Sequence, residues 1–153
     1  MDERLLRGAG HIVLCSAPLG DRSFLAITEV KVGRGSPWAA PLIHMIPQRI
    51  MMEIILTGKP ISAQRAYEIG LVNRLVEPAE LINAAIELAL EVLEGAPLSV
   101  KAGRETVMLA TEMGRSAALQ AGRAAHELAY KSGDAQEGPR AFAEKRKPQW
   151  KGQ

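Results

Sequence analysis

Ser23-Phe24-Leu25-Ala26-Ile27-Thr28-Glu29-Val30-Lys31-Val32-Gly33 separates two kinds of chain. Phe24, Ala26, Thr28, Val30 and Val32 alternate with Leu25, Ile27, Glu29 and Lys31, a period of two that predicts a strand. Upstream, from Ile12, short apolar and β-branched residues interrupted by Pro18, Gly20 and Asp21 predict strand, loop, strand. Downstream, Gly33, Gly35, Ser36 and Pro37 make a loop, because glycine and proline both end a ladder.

After that loop the pattern is helical. Pro47 to Leu56 predicts a helix stopped by Gly58, and Ser62 an N-cap for Ala63 to Ile69 with Gly70 just past the end. Leu71 to Val76 is a short connector or strand. In Ala79 to Leu93, Ile82, Ile86, Ala89 and Leu93 form one ridge and Leu81, Ala85, Leu88 and Val92 the next. Glu80, Glu87, Glu91 and Glu94 lie opposite, which predicts an amphipathic helix with a broad buried stripe. Further helices are predicted over 98–113, 116–130 and 134–146, the last opened by Asp134 and Glu137 in a capping-box arrangement. Two strands do not make an independent sheet, so the amino-terminal strands require partners.

Composition narrows the function classes. The chain has 153 residues, 47% hydrophobic and 24% charged, the range of one ordinary globular domain with a real core. Nineteen Lys and Arg against 17 Asp and Glu leave a formal charge of +2, too little for a general pull on nucleic acid or an anionic membrane. Six aromatic residues are too scattered for base stacking. The single cysteine, Cys15, excludes an internal disulfide framework and points to a reducing, cytoplasmic setting. No targeting segment or membrane span is expected, since the most apolar run, Ile50 to Leu56, is interrupted by Glu53.

Candidate chemistry is sparse. Gly8-Ala9-Gly10 and Gly33-Arg34-Gly35 each lack the third glycine of a dinucleotide fingerprint, with Val13 and Trp38 in its place. His11, His44 and His126 are far apart, so no metal site is expected. Cys15 reads as a small packed hydrophobe, and Lys145-Arg146-Lys147 as the solvated end of a helix near its negative dipole. By alternation Glu29 shares a face with Leu25 and Ile27. A carboxyl in apolar surroundings can exchange protons near neutral pH; an ordinary strand glutamate beside Lys31 is the other reading.

Three stretches carry a family resemblance. Residues 24–33 resemble the active-site strand of the enoyl-CoA hydratase/isomerase (crotonase) superfamily. Glu53-Ile54-Ile55-Leu56-Thr57-Gly58-Lys59-Pro60-Ile61-Ser62-Ala63-Gln64-Arg65-Ala66 followed by Gly70-Leu71-Val72 is similar to a later segment. Glu137-Gly138-Pro139-Arg140-Ala141-Phe142-Ala143-Glu144-Lys145-Arg146-Lys147-Pro148 resembles the final helix. The order and spacing hold from about residue 24 to 151.

The resemblance implies an α/β chain with a partial crotonase-like (ClpP/crotonase) spiral fold, few strands at the amino end and a mostly α-helical carboxy-terminal region. Residues 1–60 would be the remnant of the spiral core with the active-site strand, and 61–153 the oligomerisation and CoA-contact region. It implies an acyl-CoA thioester substrate, coenzyme A entering only as part of it, and homo-oligomers, a trimer or dimer of trimers. Glu29 matches the catalytic glutamate that exchanges a proton with the substrate α-carbon or the attacking water. Ala9 and Gly10 match the glycine-rich turn that carries an oxyanion N–H. Phe142 and Lys145 match positions contacting the CoA adenine and phosphates, a lysine suiting a phosphate charge; helix packing and a solvated charge are their alternative roles.

The pattern also departs from the family. No carboxylate follows Gly10 in His11, Ile12, Val13 and Leu14, and Ala39-Ala40 stand where paired glycines are usual. The chain reads as a carboxy-terminal portion or shortened member whose parent chemistry is hydration of a 2-enoyl-CoA, with enoyl-CoA isomerisation as an alternative. A non-catalytic oligomerisation or CoA-binding module is the reading from another class.

Overall fold

The computed structural model describes the backbone of residues 14–16 and all of residues 24–153. The chain divides into two compact units, 1–86 and 87–153.

In the first unit β1 (Leu14–Ser16) pairs in parallel with β4 (Arg74–Val76), Cys15 opposite Leu75. β2 (Phe24–Leu25) pairs antiparallel with β3 (Ile61–Ser62), Phe24 opposite Ser62. The amino-terminal strands thus find their partners in residues 61–76. The strand expected over 23–32 ends early: after Ile27 the chain turns into a short 3-10 helix, Glu29–Val32. Lys31 N donates to Thr28 O and Arg34 N to Glu29 O, bonds that close a turn instead of extending a ladder. Alternation beyond Thr28 therefore carries no face, and Val30 and Val32 are exposed.

A longer 3-10 segment, Pro37–His44, leads to α1 (Gln48–Thr57). Gly58 ends α1 with φ +58°, and its N–H caps Ile54 O. α2 (Ala63–Glu68) opens on Ser62, whose hydroxyl accepts from Arg65 N at 3.1 Å, and it is followed by Gly70 at φ +81°. The core of this unit is Ile27, Ala39, Leu42, Ile46, Met51, Ile54 and Ile69. Emptying such a site costs about 2–5 kcal/mol for an isoleucine cut to alanine, so the apolar ladder ending at Ile27 anchors the turn that follows.

α3 (Leu81–Leu93) enters after a 3-10 turn at Pro78–Glu80. Its broad buried stripe is not realised. Only Ala84 is buried, Leu81, Ala85 and Leu88 are half-buried, and the ridge of Ile82, Ile86 and Leu93 is exposed, at 68%, 53% and 72%. Helical period reports which residues share a face, not what covers it.

In the second unit α4 (Pro97–Glu112) and α5 (Arg115–Tyr130) form a hairpin joined at Gly114. They approach closely at Gly122, where a Cβ would lie 2.9 Å from Thr106 Cγ2. Thr106 Oγ1 donates to Ala102 O, and His126 Nδ1 lies 2.9 Å from Gly122 O and 3.3 Å from Thr106 Oγ1. α6 (Asp134–Ala143) completes the unit. The capping box expected there is absent. Gly133 is the N-cap and Asp134 the first helical residue, and both carboxylates reach to the chain's last residues. Asp134, 3% exposed, accepts Lys151 N and Gly152 N, each at 2.8 Å. Among the described residues, no helix is long and apolar enough to cross a membrane.

Candidate functional site

The first candidate region lies on the Glu29 turn. Thr28 precedes it in a helical backbone conformation, and Gly33 at φ +70° reverses the chain after it. Glu29 is half-buried, and its Oε1 accepts the Trp38 indole N–H at 3.0 Å. Its own backbone N–H, then the Trp38 indole, then the Ser36 hydroxyl and the Thr28 N–H favour the anion, outweighing the opposing effect of partial burial. The carboxyl is therefore held below the usual carboxylate range. The apolar setting expected for Glu29 is replaced by a ring of donors, because the turn carries the side chain off the Leu25–Ile27 face. The carboxyl is thus ionised and open to a proton, but a lowered pKa makes it a weaker base than the near-neutral carboxyl expected from an apolar setting.

Gly58 fixes this turn from behind. A Cβ there would meet Val30 Cγ1 at 3.0 Å and the Lys31 side chain at 3.1 Å. Only a glycine combines that approach with a left-handed backbone at low cost. The end of α1 thus seats directly on the residues following Glu29.

The second region is the end of α6. Phe142 is 87% exposed. Lys145 follows the helix at φ +54°, the one non-glycine residue with positive φ among those described. Lys145 N donates to Phe142 O and Arg146 N to Ala141 O, the paired bonds of a left-handed helix stop. For a residue with a Cβ that conformation costs about 1–2 kcal/mol relative to glycine. Lys145 is exposed, whereas Arg146 is not a free end-of-helix charge. Its guanidinium grips Glu137 through Nη1 at 2.5 Å and Nη2 at 3.0 Å, and its Nε donates to Glu144 at 2.6 Å. The Arg146 bonds to Glu137, then Gln149 N, pull the Glu137 carboxyl from the ordinary 4.5 down to about 2.

Glu29 belongs to one compact unit, and Phe142 and Lys145 to the other. Ala9 and Gly10 lie outside the described residues. Among the described residues, no three His, Cys, Asp or Glu side chains converge as a metal ion requires. Two participants escape sequence reasoning. Trp38, read only as a break in a glycine pattern, is the donor to Glu29, and the signal for it is an indole in the loop directly after the strand. Glu137, read as a cap, is the partner of Arg146.

Comparison with known proteins places these features in context. A family model described as enoyl-CoA hydratase/isomerase matches residues 12–153. The chain is 35% identical over 150 residues to a carnitinyl-CoA dehydratase of Salmonella arizonae and 36% identical to one of Escherichia coli. Each match takes in 94% of this chain and 56% of the relative, so the chain spans about half the length of those relatives. Among solved structures it is similar to an enoyl-CoA hydratase from Mycobacterium tuberculosis H37Rv, with TM-score 0.83, 33% identity, and 94% of this chain and 56% of that one covered. A putative enoyl-CoA hydratase/isomerase from Mycobacterium abscessus gives TM-score 0.85 at 27% identity, covering 99% of this chain and 61% of the other.

Proposed function

The chain belongs to the enoyl-CoA hydratase/isomerase (crotonase) family and has a partial crotonase fold, and on that premise we propose that it acts in proton transfer on an acyl-CoA thioester, with Glu29 carrying the proton. The observation that supports this is the Glu29 carboxylate, half-buried and held as an anion by Trp38 and its own turn.

The chemistry follows from that charge state. A carboxylate accepts a proton from a water adding across a 2-enoyl thioester, or from the α-carbon of a 3-enoyl thioester, and then returns it. Run backwards, the first is dehydration of a 3-hydroxyacyl thioester, the reaction type in the names of the dehydratase relatives. Either route builds negative charge on the thioester oxygen, which needs converging N–H donors; losing one costs about 3–4 kcal/mol of transition-state stabilisation. Ala9 and Gly10 are proposed as one source of such donors. Phe142 offers an uncovered ring face for the adenine, and Lys145 an ammonium for the phosphates. Residues 1–60 would then hold the proton-transfer turn, and 61–153 the CoA contacts and the oligomer interface.

Crotonyl-CoA hydration, followed at the enoyl-thioester absorbance, tests the proposal. Turnover is expected from the chain and not from Glu29→Gln; equal turnover in both would overturn it. A second reading, a CoA-binding assembly module, is favoured by the uncovered Ile82, Ile86 and Leu93 ridge, since apolar patches of this kind mark interfaces. It predicts CoA binding and self-association without turnover.

A further inference from the structure

Lys145 occupies a position where glycine is the least strained residue, and its ammonium makes no ion pair or hydrogen bond among the described residues. The two backbone bonds of the helix stop offset part of that strain, and a strained conformation persists where the surroundings over-determine it. Here they do so from both sides. Glu144, just before Lys145, accepts Arg146 Nε at 2.6 Å; Arg146, just after, is held by both oxygens of Glu137 one helical stretch upstream. Arg146 Nη1 also donates to Lys147 O, and Glu137 Oε1 accepts Gln149 N at 2.8 Å, so the chain leaving Lys145 is tied to the same carboxylate. The Glu137 side chain is 17% exposed, which keeps this paired-charge geometry partly sheltered from water.

We propose that Glu137 and Arg146 are positioning residues: together they lock the Lys145 backbone in the left-handed conformation and so fix where its ammonium is presented to the phosphates of a bound CoA. This rests on the CoA reading above. Neither positioning residue need touch the ligand.

Calorimetric titration of CoA into the chain and its variants tests the idea, alongside the one-bond Cα–Hα coupling of Lys145, which distinguishes positive from negative φ. Lys145→Gly should bind CoA about tenfold more weakly, the size of one charge-assisted contact, while melting no lower than the unsubstituted chain. Glu137→Gln and Arg146→Lys should weaken CoA by a similar factor, with the Lys145 coupling shifted toward negative φ. The double variant Lys145→Gly/Glu137→Gln should bind no worse than Lys145→Gly alone, a non-additivity that general destabilisation does not produce. A folded Glu137→Gln that keeps unsubstituted affinity and the positive-φ coupling would overturn the positioning role and leave the CoA reading standing. Failure of the unsubstituted chain to bind CoA would overturn both.

Discussion

The Trp38 indole N–H donates to Glu29 Oε1 at 3.0 Å, closing back over a separation of nine positions in the chain. That bond ties the loop following the Glu29 turn to its carboxylate, and it stabilises the charged form more than the neutral one. Replacing Trp38 by phenylalanine keeps the ring and removes the donor. The Glu29 carboxyl should then titrate at higher pH, because a hydrogen bond to the anion has been lost. Carbon-13 chemical shifts of the Glu29 carboxyl against pH read this directly. An unchanged midpoint in Trp38→Phe would show that the indole does not hold the charge.

Gly58 supports the same turn. Gly58→Ala forces a Cβ into a left-handed backbone 3.0 Å from Val30 Cγ1. Urea denaturation should show a loss of about 2 kcal/mol, combining conformational strain with overpacking. A neutral result would mean that the Glu29 turn is not seated on the end of α1.

The α4–α5 hairpin gives an independent test of packing. Gly122→Ala should gain about 1 kcal/mol of helix propensity, yet its methyl meets Thr106 Cγ2 at 2.9 Å. Thr106 cannot rotate away cheaply, because it is β-branched and its hydroxyl is bonded to Ala102 O. We expect net destabilisation of about 1–2 kcal/mol, with most of it recovered when Thr106→Ser removes the offending methyl. Stabilisation by Gly122→Ala alone would refute the close approach.

Glu137 makes the second unit acid-sensitive. Its carboxyl titrates at about 2 in the folded chain against an ordinary 4.5, so folding favours the anion. That stabilisation is complete above about pH 4.5 and is lost as the pH falls toward 2. Thermal midpoints measured from pH 7 to 2 should drop less steeply below pH 4.5 in Glu137→Gln, which should also start lower at pH 7. Parallel curves for the two proteins would place the acid sensitivity elsewhere.

Much of the architecture is legible in the sequence because its signals are local. Ser62 caps α2 as its side-chain chemistry requires, and Gly58 and Gly70 stop α1 and α2 at positive φ. The end of β2 is not legible. Alternation from Phe24 to Val32 is real, but nothing in a period of two announces that Thr28 O accepts Lys31 N and begins a turn. Glu29 is recognisable by family resemblance, whereas its donors depend on how the loop of residues 33–37 folds back. Asp134 and Glu137 have the spacing of a cap and are drawn instead to the chain end, a long-range contact that local rules do not contain. The apolar ridge of α3 is readable as a face; its exposure is not.

Hydrogen exchange at the thioester α-carbon tests the central claim most directly, because hydration and isomerisation share it. Incubated in D2O with a 3-enoyl-CoA and followed by proton NMR, the chain should wash deuterium into the α-position, and Glu29→Gln should slow this by two orders of magnitude or more, on the order expected for a general base. Exchange at the same rate in both proteins would contradict the assignment of Glu29. So would CoA binding with no exchange in either.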